Sequence, residues 1–463
     1  MVREAYAAGI RDFGENKIQE ALEKLDYGFQ NLPELDSTLD LETIKPVLLE
    51  VAARMQDNFP YHHPLYVGQM LKPPTAIARL AYMLSLWINP NNHALDGGRS
   101  SSVMEKEAVG EIARMFGWET HLGHLCSGGT MANLEGLWVA SLKQNPKSKI
   151  VASSQAHYTH QRLCNVLRLP FQSVKCDNQG RMNLSDLEKL LDGGDIGTVV
   201  VTLGTTATGS VDPLPEIIEL QSKYNFRIHV DAAYGGYFTL VNNLSDRNRA
   251  IFDSISQVDS IVIDPHKHGL QPYGCGCILF KDPAVGQFYK HDSPYTYFSS
   301  QELHLGEISL ECSRPGSAAV ALWATQKLLP MVRDGKFAID LGKSRQAAIN
   351  LFEKLQSDRK FITAFPPELD IVIWAPKAER VSKASLLSQE IFEKSATQNL
   401  HLALAKLPIE FFQQKDRVDI EWDEQYITCL RSCLMKPEHL DWLDRIWEIL
   451  DAVTNEVLKT KRF

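Results

Sequence analysis

Apolar runs long enough to cross a bilayer are missing from this chain; each breaks well short of the roughly 20 residues a spanning helix needs. Lys/Arg-rich runs of the nucleic-acid-binding kind are missing too, and a net charge of −9 has the wrong sign for that partner. The first residues, MVREAYAAGIRDFGENK, carry charges throughout and hold no apolar stretch of the signal-peptide kind. Cysteine is scarce, eight in 463 residues, which excludes a disulfide-built secreted scaffold. Repeats and low-complexity segments do not occur. What remains is an ordinary globular composition, 44% hydrophobic and 23% charged, in a chain long enough to need more than one domain. The expectation is a cytoplasmic protein with no nucleic-acid and no membrane partner.

The cysteines also give no metal site. Cys275 and Cys277 fall in one strand-like run, and Cys429 and Cys433 stand four apart with no further ligand at zinc spacing. All eight read as buried small hydrophobes, and no metal is expected.

Along the chain, EAYAAGI, NKIQEALEKL and LETIKPVLLEVAARM carry apolar residues at three- and four-residue spacing, so residues 1–60 are predicted to be helical. A loop-like Pro/His/Gly stretch follows, PYHHPLYVGQMLKPP, and then two further helices. From about 120 to 282, short apolar runs alternate with helical ones: KIVASS, GTVVVTLGTT, FRIHVDAA, DSIVIDPH and GCILFKD. That alternation predicts βαβ units and a largely parallel sheet covered on both faces. Residues 336–463 mix helices with strands such as ELDIVIWAP and QYITCLRSCLM, an α+β texture. Three domains are expected: 1–60, 61–335 and 336–463.

Ligands of an open parallel sheet bind at the carboxyl ends of its strands. Those ends carry SSQAHYTH, LGTTATG, VDAAYGG and IDPHKHG. Lys267, flanked by His266 and His268 after a buried strand, has the surroundings of a Schiff-base lysine, with its pKa expected to be lowered by burial and by neighbouring cations. Asp231 ends an apolar strand before Ala232 and Ala233, small residues that let a flat ring lie close. A buried carboxylate needs a cationic partner, which a protonated pyridine nitrogen supplies. Ser127-Gly128-Gly129-Thr130 precedes a helical run, where free N–H groups and the helix dipole favour an anion such as a phosphate.

Taken in order, SGGTMAN, AHYTHQ, LGTTATG, HVDAAYGG and DPHKHG resemble the group II amino-acid decarboxylases that depend on pyridoxal 5'-phosphate (PLP). IDPHKHGLQP with ECSRPG is most similar to the archaeal tyrosine/aspartate decarboxylase branch. The resemblance covers roughly residues 50–450. It implies an α/β protein of the aminotransferase-like fold type I: a mainly parallel seven-stranded sheet in the large domain and a small α+β C-terminal domain. It implies PLP as cofactor, a small-molecule L-amino acid as substrate, and a homodimer with active sites at the interface.

Position by position, the resemblance makes Lys267 the Schiff-base lysine and Asp231 the partner of the ring nitrogen. His157 stacks on the ring, Ala233 packs on its other face, and Thr205 bonds near the ring substituents. Gly129, Thr130 and His266 hold the phosphate. Arg431 binds the substrate α-carboxylate, and His63 and Tyr66 contribute to the substrate pocket. The polar stretch 291–307 reads as a loop over the site, with Tyr295 and Tyr297 as candidates to protonate Cα. Two alternatives stand beside decarboxylation: a carbon–carbon lyase of the sphingosine-phosphate lyase type, and a PLP-binding protein without catalysis. Residues 4–24 resemble a short piece of the PLP-homeostasis (YggS-like) family and are too few to form its barrel.

Overall fold

The computed structural model describes residues 40–93, 95–145, 147–290, 308–413 and 420–460. The YggS-like stretch 4–24 and the loop 291–307 with Tyr295 and Tyr297 lie outside the described residues. The described residues divide into two units, one ending at Phe59 and one starting at Pro60. In the first, LETIKPVLLEVAARM forms helix α1 (Leu41–Met55), as its periodicity predicts. Asp40 caps it, accepting from Glu42 N at 3.0 Å and from Thr43 Oγ1 at 2.8 Å, which satisfies an orphan donor of the first turn.

In the second, α2 (Ala76–Leu86) and α3 (Leu95–Met115) precede a seven-stranded sheet. Its strands are β1 (Leu122–Cys126), β2 (Lys149–Ser153), β3 (Phe171–Val174), β4 (Ile196–Thr202), β5 (Arg227–Asp231), β6 (Ser260–Ile263) and β7 (Gly276–Phe280), in the order β1-β7-β6-β5-β4-β2-β3. The pairs β2/β3, β2/β4, β4/β5 and β5/β6 are parallel. Only β7 runs antiparallel to its neighbours β1 and β6. All residues of β4 and of β6 are buried, the pattern of strands covered on both faces. The crossover helices include α4 (Gly129–Lys143), α5 (Thr159–Leu167), α6 (Leu184–Leu191), α7 (Leu214–Lys223) and α8 (Asp246–Asp253). Helix α4 comes so close to the sheet that a Cβ on Gly136 would lie 2.2 Å from His229 Cε1, so no larger residue fits there.

Helices α9 (Gly316–Leu328) and α10 (Lys336–Ser357) lead to a second, antiparallel sheet of β8 (Phe361–Thr363), β9 (Ile371–Pro376), β10 (Ala403–Pro408) and β11 (Tyr426–Cys433), in the order β10-β11-β9-β8. α10, α11 (Val381–Thr397) and α12 (Leu443–Thr460) cover it through Leu351, Leu387, Ile391, Ile446 and Leu450, packed on Trp374 and Leu430. The cysteines are all free thiols, but two depart from the expected burial: Cys312 is exposed and Cys176 half-buried. Among the described residues no group of three or more His, Cys, Asp or Glu could hold a metal ion, and no helix is long and apolar enough to cross a membrane.

Candidate active site

The carboxyl ends of β2, β4, β5 and β6 and the start of α4 enclose a cavity of about 350 Å³. That lies within the roughly 300–1,000 Å³ of small-ligand pockets. Nine of the residues singled out in the sequence line it: Ser127, Gly128, Gly129, Thr130, His157, Asp231, Ala233, His266 and Lys267.

Asp231, the last residue of β5, is 5% exposed and has both oxygens fixed. Oδ1 accepts from Ala233 N at 3.1 Å, and Oδ2 lies 2.9 Å from His160 Nε2. Burial alone would raise its carboxyl; the His160 hydrogen bond and the charges of His160 and Lys267 outweigh burial and hold it well below the usual carboxylate range. Lys267 Nζ pairs with Asp264 Oδ2 at 3.0 Å. This corrects the expected direction of its shift. Burial does press the ammonium down, but the carboxylates of Asp264 and Asp231 prevail and hold it above its ordinary value. Burial keeps His157 and His266 below the ordinary imidazole range, against the pull of Asp231 on the first and of Asp264 on the second.

The phosphate end fits its expected guest. α4 opens at Gly129 with no side chain capping its first N–H groups, which leaves them free for an anion. A Cβ on Gly129 would sit 2.7 Å from Asp264 Oδ2, so only glycine brings the backbone this close. His266 Nδ1 is buried with no hydrogen-bond partner among the described residues. A free imidazole nitrogen, an uncapped helix start and the Thr130 side chain around one cavity suit a phosphorylated ring compound.

The other predicted residues lie elsewhere. Thr205 is fully buried in the turn after β4, where its hydroxyl joins Thr208 at 2.7 Å and accepts from Ser210 N at 3.0 Å. Its neighbours Gly204 and Thr206 line the cavity instead. Arg431, on β11, is 6% exposed; its Nη1 donates to Gln69 Oε1 at 3.0 Å. His63 Nδ1 accepts from Leu65 N at 3.1 Å, and its ring meets Trp442 edge-on. Tyr66 is buried, edge-on to Tyr61, with Lys436 Nζ 5.4 Å from its ring centre. The segment from Tyr66 to Lys72 is stapled to β11 and the residues after it. Cys433 N donates to Val67 O at 2.7 Å, Lys436 Nζ to Tyr66 O at 2.7 Å and Lys72 Nζ to Met435 O at 3.1 Å. None of Arg431, His63 and Tyr66 lines the main cavity.

Two residues with a part in the site were not singled out from the sequence, His160 and Asp264. Each stands inside a quoted motif, AHYTHQ and IDPHKHG, and its spacing there was the available signal.

Comparison with known proteins decides the family. Residues 58–374 match the pyridoxal-dependent decarboxylase conserved domain. The chain is a pyridoxal-dependent decarboxylase. It is 27% identical to an L-tyrosine decarboxylase of Enterococcus faecium, over 96% of this chain and 94% of that protein. It is 29% identical to a probable L-tyrosine/L-aspartate decarboxylase of Methanothermobacter thermautotrophicus, over 66% of this chain and 81% of the relative. In fold it resembles Oryza sativa TDC, crystallised with PLP and tryptamine: TM-score 0.77 at 16% identity, covering 93% of this chain and 91% of that one. PLP is accordingly the cofactor of this decarboxylase, and the carbon–carbon lyase alternative loses its support.

Proposed function

We propose that this decarboxylase converts an L-amino acid to the corresponding amine and CO2, with PLP carried on Lys267. The observation that carries the reading is the convergence of Lys267, Asp231 and His157 on one cavity at the ends of β6, β5 and β2. Bound PLP supplies an electron sink for the pair released when the bond between Cα and its carboxylate breaks. Asp231 would hold a positive charge at the ring nitrogen, because its carboxylate stays ionised. His157 and Ala233 would confine the ring from its two faces, and Gly129, Thr130 and His266 would hold the phosphate.

Arg431 is the proposed reader of the substrate α-carboxylate. Its guanidinium is buried with no ion pair among the described residues, its Nε has no hydrogen-bond partner there, and Gln69 supports one arm. A planar fork fits a carboxylate, and a buried cation without a counter-ion favours an arriving anion. Tyr295 or Tyr297 would then return the proton to Cα, with His157 next in line.

A homodimer is part of the reading. Leu80, Met83, Leu84 and Trp87 recur at helical spacing along α2 and just past its end, all exposed, the pattern of a covered face. The free state of all eight cysteines supports a reducing, cytoplasmic location. A boundary near 335 between a large and a small domain is part of the same proposal, supported by the change from a mainly parallel seven-stranded sheet before it to an antiparallel four-stranded sheet after it.

Incubating the purified enzyme and PLP with each of the twenty amino acids tests the function. CO2 and amine should appear in equal amounts from at least one of them, tyrosine and aspartate being the first to try. Tyr295→Phe or Tyr297→Phe should lower the amine yield. No CO2 from any amino acid would overturn the proposal.

A further inference from the structure

His160 is almost fully buried and lies outside the cavity wall, beneath it. It stands three residues after His157 in the first turn of α5, so one short segment sets one imidazole on the cavity and a second behind it. Its Nε2 lies 2.9 Å from Asp231 Oδ2. Its Nδ1 has no hydrogen-bond partner among the described residues. Nε2 therefore carries a proton, because a carboxylate can only accept.

The other charged or titratable groups around this pair do not compete for the bond. His229 sits on the same strand as Asp231, but Asn133 and Ser260 take both of its ring nitrogens, at 2.9 Å and 2.7 Å. Burial drives its pKa down to about 3, so it stays neutral. Lys267 acts on Asp231 through its charge while its amine pairs with Asp264, and His157 lines the cavity.

We propose that His160 is a positioning residue for the cofactor: its Nε2–H fixes the Asp231 carboxylate in its ionised form and aims it at the ring nitrogen. This rests on the reading that Asp231 faces that nitrogen. The physical reason is that a buried carboxylate lacking donors takes up a proton, whereas a hydrogen bond donated to the charged form keeps it ionised. With Ala233 N on Oδ1 and His160 on Oδ2, neither oxygen can swing away from the cavity.

The test measures PLP affinity and the visible spectrum of the bound cofactor in H160L, D231A, their double variant, and H160Q. H160L should bind PLP roughly 10- to 100-fold more weakly, the range for losing one hydrogen bond to a buried charge. The bound-cofactor band should shift in H160L as in D231A. The double variant should be no worse than D231A alone within about threefold, because His160 acts through Asp231. H160Q, whose amide can donate from near the position of Nε2, should recover most of the affinity. Native affinity and spectrum in H160L, or losses that add in the double variant, would overturn the role of His160 and leave that of Asp231 standing. Native PLP binding in D231A would overturn both. Should H160L fail to fold, H160Q against H160N reads the same point: the shorter amide cannot reach Asp231, and equal affinities would sink the proposal.

Discussion

The ends of the parallel strands and the platform around β11 both gather buried charge, but they balance it in opposite ways. At the strand ends each charge has its partner inside the chain: Lys267 with Asp264, and Asp231 with His160. On the platform, Arg431, Lys72 and Lys436 have no carboxylate within ion-pairing distance among the described residues. Asp370 acts on Lys72 from a distance but is itself held by His268 at 3.2 Å and Tyr234 at 2.6 Å. Burial brings the Lys72 ammonium down to about 8; burial and the neighbouring Lys72 charge bring Lys436 down to about 7. A prepaired cluster suits a cofactor that stays, and an unbalanced one suits an anion that comes and goes with each turnover.

The sharpest way to break this contrast is at Asp231. Asp231→Ala removes one member of a buried pair, which costs about 3–5 kcal/mol. Cofactor affinity should fall by roughly 10²- to 10⁴-fold, read by PLP titration. A smaller effect, of a different kind, is expected at Arg431. Arg431→Lys keeps the charge and loses the fork, so kcat/KM for the amino acid should drop by roughly 10- to 100-fold while PLP affinity stays unchanged. Loss of PLP in that variant would erase the distinction between the two regions.

A third effect is a pH dependence of stability. The Lys436 pKa is about 7 in the folded chain against an ordinary 10.5. Between those values the unfolded chain binds the extra proton, so stability should rise with pH across that window, by at most about 1.4 kcal/mol per pH unit for this group. Lys436→Met should flatten the rise in urea denaturation followed from about pH 6.5 to about pH 9. An unaltered slope would mean that Lys436 keeps an ordinary pKa.

Much of the large sheet is legible in the sequence because β4 and β6 are near-continuous apolar runs, as strands buried on both faces must be, and β5 (RIHVD) keeps Ile228 and Val230 beside them. β1 (LGHLC) and β3 (FQSV) escaped that pattern. They are five and four residues long and carry His124 or Gln172, and the His124 side chain is buried only because it pairs with Glu135 at 2.9 Å. In the second sheet β9 and β11 stand out, whereas β8, three residues long, and β10, with Lys406 inside it, do not. The site follows the same logic. Lys267 and Asp231 are visible as polar groups ending apolar strands. The link from His160 to Asp231 spans 71 residues and exists only once the fold brings the start of α5 beside the end of β5. The direction of the Lys267 shift was missed for a related reason: the motif displays two histidines beside the lysine, while the carboxylates that decide the balance are Asp264, one turn back, and Asp231, on another strand.

The central claim is that Lys267, and no other lysine, carries the cofactor. Borohydride reduction of the PLP-loaded enzyme, followed by digestion and mass mapping of the labelled peptide, tests it directly. The label should sit on Lys267 within IDPHKHG and vanish in Lys267→Ala. A label on another lysine, or undiminished labelling in that variant, would contradict it.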